Sequence, residues 1–223
     1  EDSAERLQQV MLRSGWGQVP VADEAGELIG VVTRTDLIKL WGPREDEGAQ
    51  RAEVIRRLEK ALTPETMRLV LRISQTAQEM GFGLYFVGGF VRDLLLGVPT
   101  NTDIDFVVEG DAIALVKRLR EACGGGLRSH ARFGTAKWIL KTEGLGPPLA
   151  ETPGLPPAID FVTARTEFYA HPSALPTVQH SSIKQDLHRR DFTINTLAIR
   201  LAPEPFGQLL DFWGGGRDLR EGV

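Results

Sequence analysis

The sequence predicts a mixed α/β chain in two parts, a small N-terminal unit and a larger α/β domain. Three observations predict it. Residues 1 to 42 read as helix, strand, strand, helix. Residues 43 to 52 (GPREDEGAQR) are polar and read as a linker. From Gly81-Phe82-Gly83 onward, short apolar runs of strand and helix periodicity alternate.

Composition bounds the rest. Of 223 residues, 42% are hydrophobic and 25% charged, the balance of a globular protein and not of a disordered one. Lys plus Arg is 26 against 30 Asp plus Glu, a formal charge of −4. A grip on nucleic acid through net positive charge is thereby excluded, while a local basic face is not. The single cysteine, Cys123, excludes an internal disulfide and any multi-cysteine zinc site, and is expected as a small buried thiol ending a helix before Gly124-Gly125-Gly126. No apolar run approaches the roughly 20 residues of a membrane span. The start, Glu1-Asp2-Ser3, has neither the features of a signal peptide nor an initiator Met. The expectation is a cytoplasmic protein, cut from a longer one.

In the first part, Leu7, Val10, Met11 and Leu12 make a helical apolar stripe closed by Ser14-Gly15. Gln18 to Ala22 and Leu28 to Thr33 are β-rich runs around a turn at residues 23–27, and Thr33-Arg34-Thr35-Asp36 opens a helix with Leu37, Ile38 and Leu40. Two helical segments follow, one with Val54, Ile55, Leu58 and Leu62, the other, after Pro64, with Leu69, Leu71, Ile73 and Met80. Residues 142–159 hold eight Gly or Pro among 18 and read as a flexible insertion between two strands.

Four segments carry chemistry. In LYFVGGFVRDLLLG (residues 84–97), an apolar strand meets Gly88-Gly89 and then an amphipathic helix. Glycines at such a turn let a ligand approach the backbone and leave N–H groups free at the helix start, which favours phosphate; Arg92 adds a charge-assisted contact. The plainer alternative is a tight turn with a surface arginine. In NTDIDFVVEG, Asp103 and Asp105 lie two apart at the head of a strand, so both carboxylates share a face while Ile104 and Phe106 enter the core. Adjacent carboxylates repel, and hard oxygen donors at this spacing suit Mg²⁺ with a bound phosphate; the alternative is a solvated strand end.

The third segment, AIDFVTARTEFY (residues 158–169), reads as an alternating strand in which Asp160 supplies a third carboxylate or stands as an ordinary strand-end acid. Arg165 is its candidate phosphate or ribose contact. The fourth, SIKQDLHRRDFTINTLAIR, gathers Lys184, His188, Arg189 and Arg190 before an expected apolar helix with Ile194, Leu197 and Ile199. A charge run is ordinarily a solvated face. On that helix Asp191 and Asn195, four apart, would share one side and face a triphosphate and ribose.

These segments, in this order, resemble the catalytic head of class II tRNA nucleotidyltransferases and bacterial poly(A) polymerases, of the polymerase-β superfamily. VGGFVRDLLLG, DIDFVVEGD, FVTARTEFY, RRDFTIN and a closing DFWGGGRDL carry the resemblance across residues 84–222. It implies a small mixed, largely antiparallel sheet backed by helices, and Mg²⁺-dependent transfer of C or A from CTP or ATP to the 3′ end of a tRNA. By the same resemblance Asp103 and Asp105 are the metal-binding pair, and Asp160 is the third active-site carboxylate. Gly89, Arg92 and Arg190 contact the nucleotide, with Gly88, Asp191 and Asn195 as further triphosphate and ribose positions. Phe133-Gly134-Thr135 matches a loop that orders on substrate binding. The segment that selects C or A in that family is expected beyond Val223, and Thr196 stands where the family commonly has Ala.

The stretch VPVADEAGELIGVVTRTDLI resembles the second half of a CBS motif, a unit that works in pairs. It implies an adenosine contact through Thr33 and Asp36, for which a plain helix cap is the alternative, and a CBS-mediated dimer in the full-length protein. The expected domains are a partial CBS motif (1–42), a linker and helix (43–65) and the nucleotidyltransferase head (66–223). Against the tRNA reading stand poly(A) synthesis by the same head and a non-catalytic adenylate-sensing module.

Overall fold

The computed structural model describes residues 3–23, 25–41, 47–98, 104–140, 144–146, 149–168 and 177–222. The chain divides into two compact units, Glu1–Glu47 and Gly48–Val223.

In the first unit, α1 (Ala4–Ser14) is capped by the Ser3 side chain, which accepts from the Arg6 N–H, and closes at Gly15 with φ 71°. Strands β1 (Gln18–Ala22) and β2 (Leu28–Thr33) pair antiparallel, and α2 spans Arg34–Trp41. The helix-strand-strand-helix order is the expected one. The apolar stripe of α1 is narrower than expected: Met11 is buried, but Leu12 is 74% exposed. It is adjacent to Met11 in sequence and therefore turned about 100° away on a helix with 3.6 residues per turn.

The second unit begins with α3 (Glu47–Ala61) and α4 (Pro64–Glu79). Thr63 caps α4 by accepting from the Thr66 N–H, and Pro64 sits at the first helical position, where a missing N–H costs nothing. The helix starts at Glu47, so the polar run read as linker is partly helical; the rest of it lies outside the described residues. Val54, Leu58 and Leu62 join Leu69, Val70 and Ile73 in one core, while Leu71 faces outward.

The sheet is built from β3 (Gly83–Val87), β4 (Asp105–Glu109), β5 (Gly126–His130), β6 (Thr135–Ile139), β7 (Ala158–Thr163), β10 (Ala198–Ala202) and β11 (Gln208–Leu210). Its order is β11-β10-β3-β4-β7-β6-β5. Every neighbouring pair is antiparallel except β4 and β7. Helices α5 (Gly89–Leu96) and α6 (Ala112–Cys123) follow β3 and β4, and Cys123 is buried at the end of α6 as expected. The mixed, largely antiparallel sheet with helices is thus the expected fold class.

The sheet has two unlike faces. On one, Phe86, Phe106 and Phe161 stack across three adjacent strands with centroids 5.0 and 5.1 Å apart, fully buried beneath α3–α6. Burial of each such ring contributes about 1.5–3 kcal/mol. On the other, Tyr85, Val87, Val107 and Ala198 meet Ile183 and Leu187 of α7 (Ile183–His188). This smaller apolar cluster covers only part of its face and leaves the strand ends around Asp105 and Asp160 exposed.

Three readings are corrected. The expected helix after Arg190 is absent among the described residues. Thr193–Asn195 is a single 3₁₀ turn, and Ile199 lies in β10, flanked by β3 and β11. A strand buried on both faces presents a continuous apolar run, which periodicity does not separate from a buried helix. The stretch read as one strand over residues 158–169 holds two among its described residues: β7 ends at Thr163, and β8 (Arg165–Phe168) pairs instead with β9 (Thr177–His180), while Tyr169 lies outside the described residues. The Gly/Pro-rich insertion between β6 and β7 is anchored, since Leu149 is buried and Gly146 N–H donates to the Cys123 carbonyl at 2.9 Å.

Candidate functional site

The exposed end of the sheet is set by strand register. Asp105 of β4 lies opposite Asp160 of β7, Asp160 opposite Lys137 of β6, and Lys137 opposite Arg128 of β5. Paired residues on neighbouring strands share a face, so two carboxylates and two cations form one row, with neighbouring strands roughly 5 Å apart. Lys137 Nζ reaches Asp160 Oδ2 at 2.7 Å, with 46% and 43% of the two side chains exposed. Asp105 is exposed, while Ile104 and Phe106 are buried on the other side, as alternation requires. Asp103 lies outside the described residues.

Beside this row β3 runs into the Gly88-Gly89 turn. Gly88 has φ 65° and ψ −134°, a conformation for glycine, and its N–H donates to the Leu197 carbonyl at 3.3 Å. A Cβ at Gly88 would stand 2.9 Å from Arg190 Nη1, so the Arg190 guanidinium lies directly against the glycine backbone. Arg92, one turn into α5, donates to Asn195 Oδ1 at 3.0 Å and to Asp93 Oδ1 at 2.8 Å. The fold therefore brings Gly88, Gly89, Arg92, Arg190 and Asn195 together at the end of β3, next to the start of β4.

Arg190 is the informative member. Its Nη2 donates to Asp186 Oδ2 at 3.3 Å, while its Nε is buried and meets no partner among the described residues. A buried guanidinium donor without an acceptor costs free energy, which an anion arriving at this edge would recover.

The remaining expected residues stand apart from that cluster. Asp191 is exposed in the turn before Phe192, which is 61% exposed. With no helix there, Asp191 and Asn195 do not share a helical face. Arg165 donates from Nη1 to the Phe133 carbonyl at 2.8 Å, so its guanidinium holds the turn before Gly134. Thr196 is buried and donates to the Thr193 carbonyl at 2.7 Å, closing its own 3₁₀ turn. Asp211 caps α8 (Gly215–Glu221) by accepting from the N–H groups of Gly214, Gly215 and Gly216.

Two residues were missed. Asp186, fully buried, precedes Arg189 and Arg190 by three and four positions, a helical spacing visible in the sequence. Lys137 had no such signal, because its pairing with Asp160 exists only in the strand register. In the first unit, Thr33 and Asp36 satisfy one another: Thr33 Oγ1 and N–H both donate to Asp36 Oδ2, at 2.7 and 2.8 Å, and the Asp36 N–H donates back to Thr33 Oγ1 at 3.3 Å. That is the helix-cap alternative.

Comparison with known proteins matches residues 84–223 to the poly A polymerase head domain and residues 1–42 to the CBS domain. An A-adding tRNA nucleotidyltransferase of Geobacter sulfurreducens is 41% identical over 87% of this chain and 22% of its own length. Another A-adding tRNA nucleotidyltransferase, of Aquifex aeolicus, is 40% identical over 97% of this chain and 24% of its own length. The chain thus spans about a quarter of the length of these relatives. Among solved structures, the Thermotoga maritima CCA-adding enzyme complexed with tRNA is similar with a TM-score of 0.59 and 41% identity, over 76% of this chain and 34% of that one.

Proposed function

The chain belongs to the poly A polymerase head domain family, and from that premise we propose that it transfers a nucleotide, AMP from ATP in the first place, to the 3′-hydroxyl of a tRNA with release of pyrophosphate. The observation that carries the reading is the meeting of an exposed carboxylate row, Asp105 and Asp160, with the Gly88-Gly89 turn and the unsatisfied edge of Arg190. The preference for A rests on the two A-adding relatives, which align with 87% and 97% of the chain.

The residues present suit Mg²⁺. Asp105 and Asp160 are hard oxygen donors on one face, the chemistry this ion requires, and Asp103 stands two positions before Asp105 in the sequence. Asp103 and Asp105 would hold the ion and Asp160 would support it, with Lys137 balancing Asp160 when no ion is bound. Magnesium supplies Lewis-acid stabilisation of the charge that develops on phosphoryl oxygens. The rest is positioning by this chain. The Gly88-Gly89 turn leaves N–H groups of α5 open toward phosphate, and Arg190 adds charge on the same side. Arg92, held by Asp93 and Asn195, keeps the turn and the 3₁₀ segment in register. Fixing the triphosphate in line with the attacking hydroxyl and neutralising its charge supply most of the rate in such transfers.

The test is the Asp103→Ala/Asp105→Ala double variant in the complete protein. Transfer of AMP to tRNA in Mg²⁺ should vanish while the melting temperature stays close to that of the parent, because Asp105 is an exposed side chain outside the core. Substantial transfer by the double variant would overturn the reading.

A further inference from the structure

We propose that Asp186 is a positioning residue for the nucleotide, holding the Arg190 guanidinium against Gly88 and tying that grip to the Phe133-Gly134 turn. The proposal rests on the reading that Arg190 contacts the triphosphate.

The carboxylate is 1% exposed and both its oxygens are engaged. Oδ1 accepts from Arg189 Nη2 at 3.0 Å, from Arg189 Nε at 3.3 Å and from the Arg165 backbone N–H at 3.2 Å. Oδ2 accepts from Arg190 Nη2 at 3.3 Å. Burying a carboxylate is costly, and an apolar side chain of similar size is often as good for stability alone. What the charge achieves here is orientation. One edge of Arg190 is occupied by Asp186, which leaves Nη1 beside Gly88 and Nε without a partner among the described residues. Two guanidinium groups, those of Arg189 and Arg190, face this one carboxylate.

An unrestrained arginine loses rotamer entropy when it is immobilised. Asp186 takes that loss during folding, so it is not subtracted from nucleotide affinity. The same carboxylate fixes the start of β8, where Arg165 reaches back to the Phe133 carbonyl. The phosphate grip and the turn before Gly134 therefore share one anchor.

The experiment uses the complete protein with Asp186→Asn, Asp186→Glu, Arg190→Ala and the Asp186→Asn/Arg190→Ala pair. Steady-state transfer is measured with ATP and tRNA varied separately, and melting temperatures are recorded in parallel. Each Asp186 variant should raise KM for ATP about tenfold or more, as expected for loosening a hydrogen bond to a charged group. KM for tRNA and kcat should change much less. In the Arg190→Ala background, Asp186→Asn should add almost nothing to KM for ATP, since the group it positions is gone. Independent, multiplying effects in the double variant would overturn the proposal, as would equal rises in both KM values. Loss of the fold in both Asp186 single variants would make Asp186 a structural anchor and overturn it too. If Arg190→Ala itself leaves KM for ATP unchanged, the triphosphate reading of Arg190 fails first and the proposal falls with it, a result distinct from the others.

Discussion

Replacing Gly88 by alanine tests the architecture of the phosphate-facing turn most directly. Two separate penalties arise there. The backbone at φ 65° and ψ −134° is one that L side chains rarely adopt, and holding alanine in it costs on the order of 1–3 kcal/mol. The new Cβ would also lie 2.9 Å from Arg190 Nη1, inside normal contact, so the guanidinium must move off the glycine. At roughly 2–4 °C per kcal/mol for a domain of this size, the melting temperature should fall by about 2–12 °C. Scanning calorimetry of the chain measures the first effect, and KM for ATP in the complete protein measures the second, which should rise as Arg190 is displaced. Gly89→Ala is the internal control for stability. Its Cβ would stand 3.5 Å from Arg92 Nη2, an ordinary contact, at the first position of α5. There alanine restricts the unfolded chain and should be neutral or stabilising by up to about 1 kcal/mol. If Gly88→Ala melted like Gly89→Ala and left KM for ATP unchanged from the parent, the claim that Gly88 shapes the turn and seats Arg190 would be refuted.

Two further outcomes follow from the sheet. Phe106→Ala empties the middle of the Phe86-Phe106-Phe161 stack and should cost about 3–5 kcal/mol in urea unfolding, with a loss below 1 kcal/mol arguing that the rings do not form one packed core. Tyr85 is held in its neutral form, first by burial and then by its hydrogen bond to Glu109 Oε2 at 2.9 Å, so its phenol titrates well above the ordinary tyrosine range. Below about pH 10 both folded and unfolded chains keep this proton and the contribution is complete; above it the unfolded chain ionises first and stability declines. Tyr85→Phe should flatten that alkaline decline, and an unchanged slope of unfolding free energy against pH would show that Tyr85 is not its source.

Local residue patterns already specify the class of the fold and much of the chemistry. Alternation at Ile104-Asp105-Phe106 separates core from solvent on a strand, and the structure follows it because a strand has only two faces. The Gly88-Gly89 pair between an apolar strand and an amphipathic stretch marks a turn open to a ligand, since few other residues adopt that backbone. Local capping was equally legible, with Thr33 before Asp36 acting within four residues. Tertiary structure decided the rest. Whether Leu197 to Ala202 is helix or strand depends on neighbours at β3 and β11 that lie far away in the chain, and an apolar run carries no mark of them. The row Asp105, Asp160, Lys137 and Arg128 joins four strands, and its register is set by how those strands pair. Asp186 drew no reading from the sequence; burial against Arg189, Arg190 and the start of β8 is what makes it an anchor. Patterns within one turn or one strand are written into neighbouring residues, whereas a site assembled from several strands exists only once the sheet has closed.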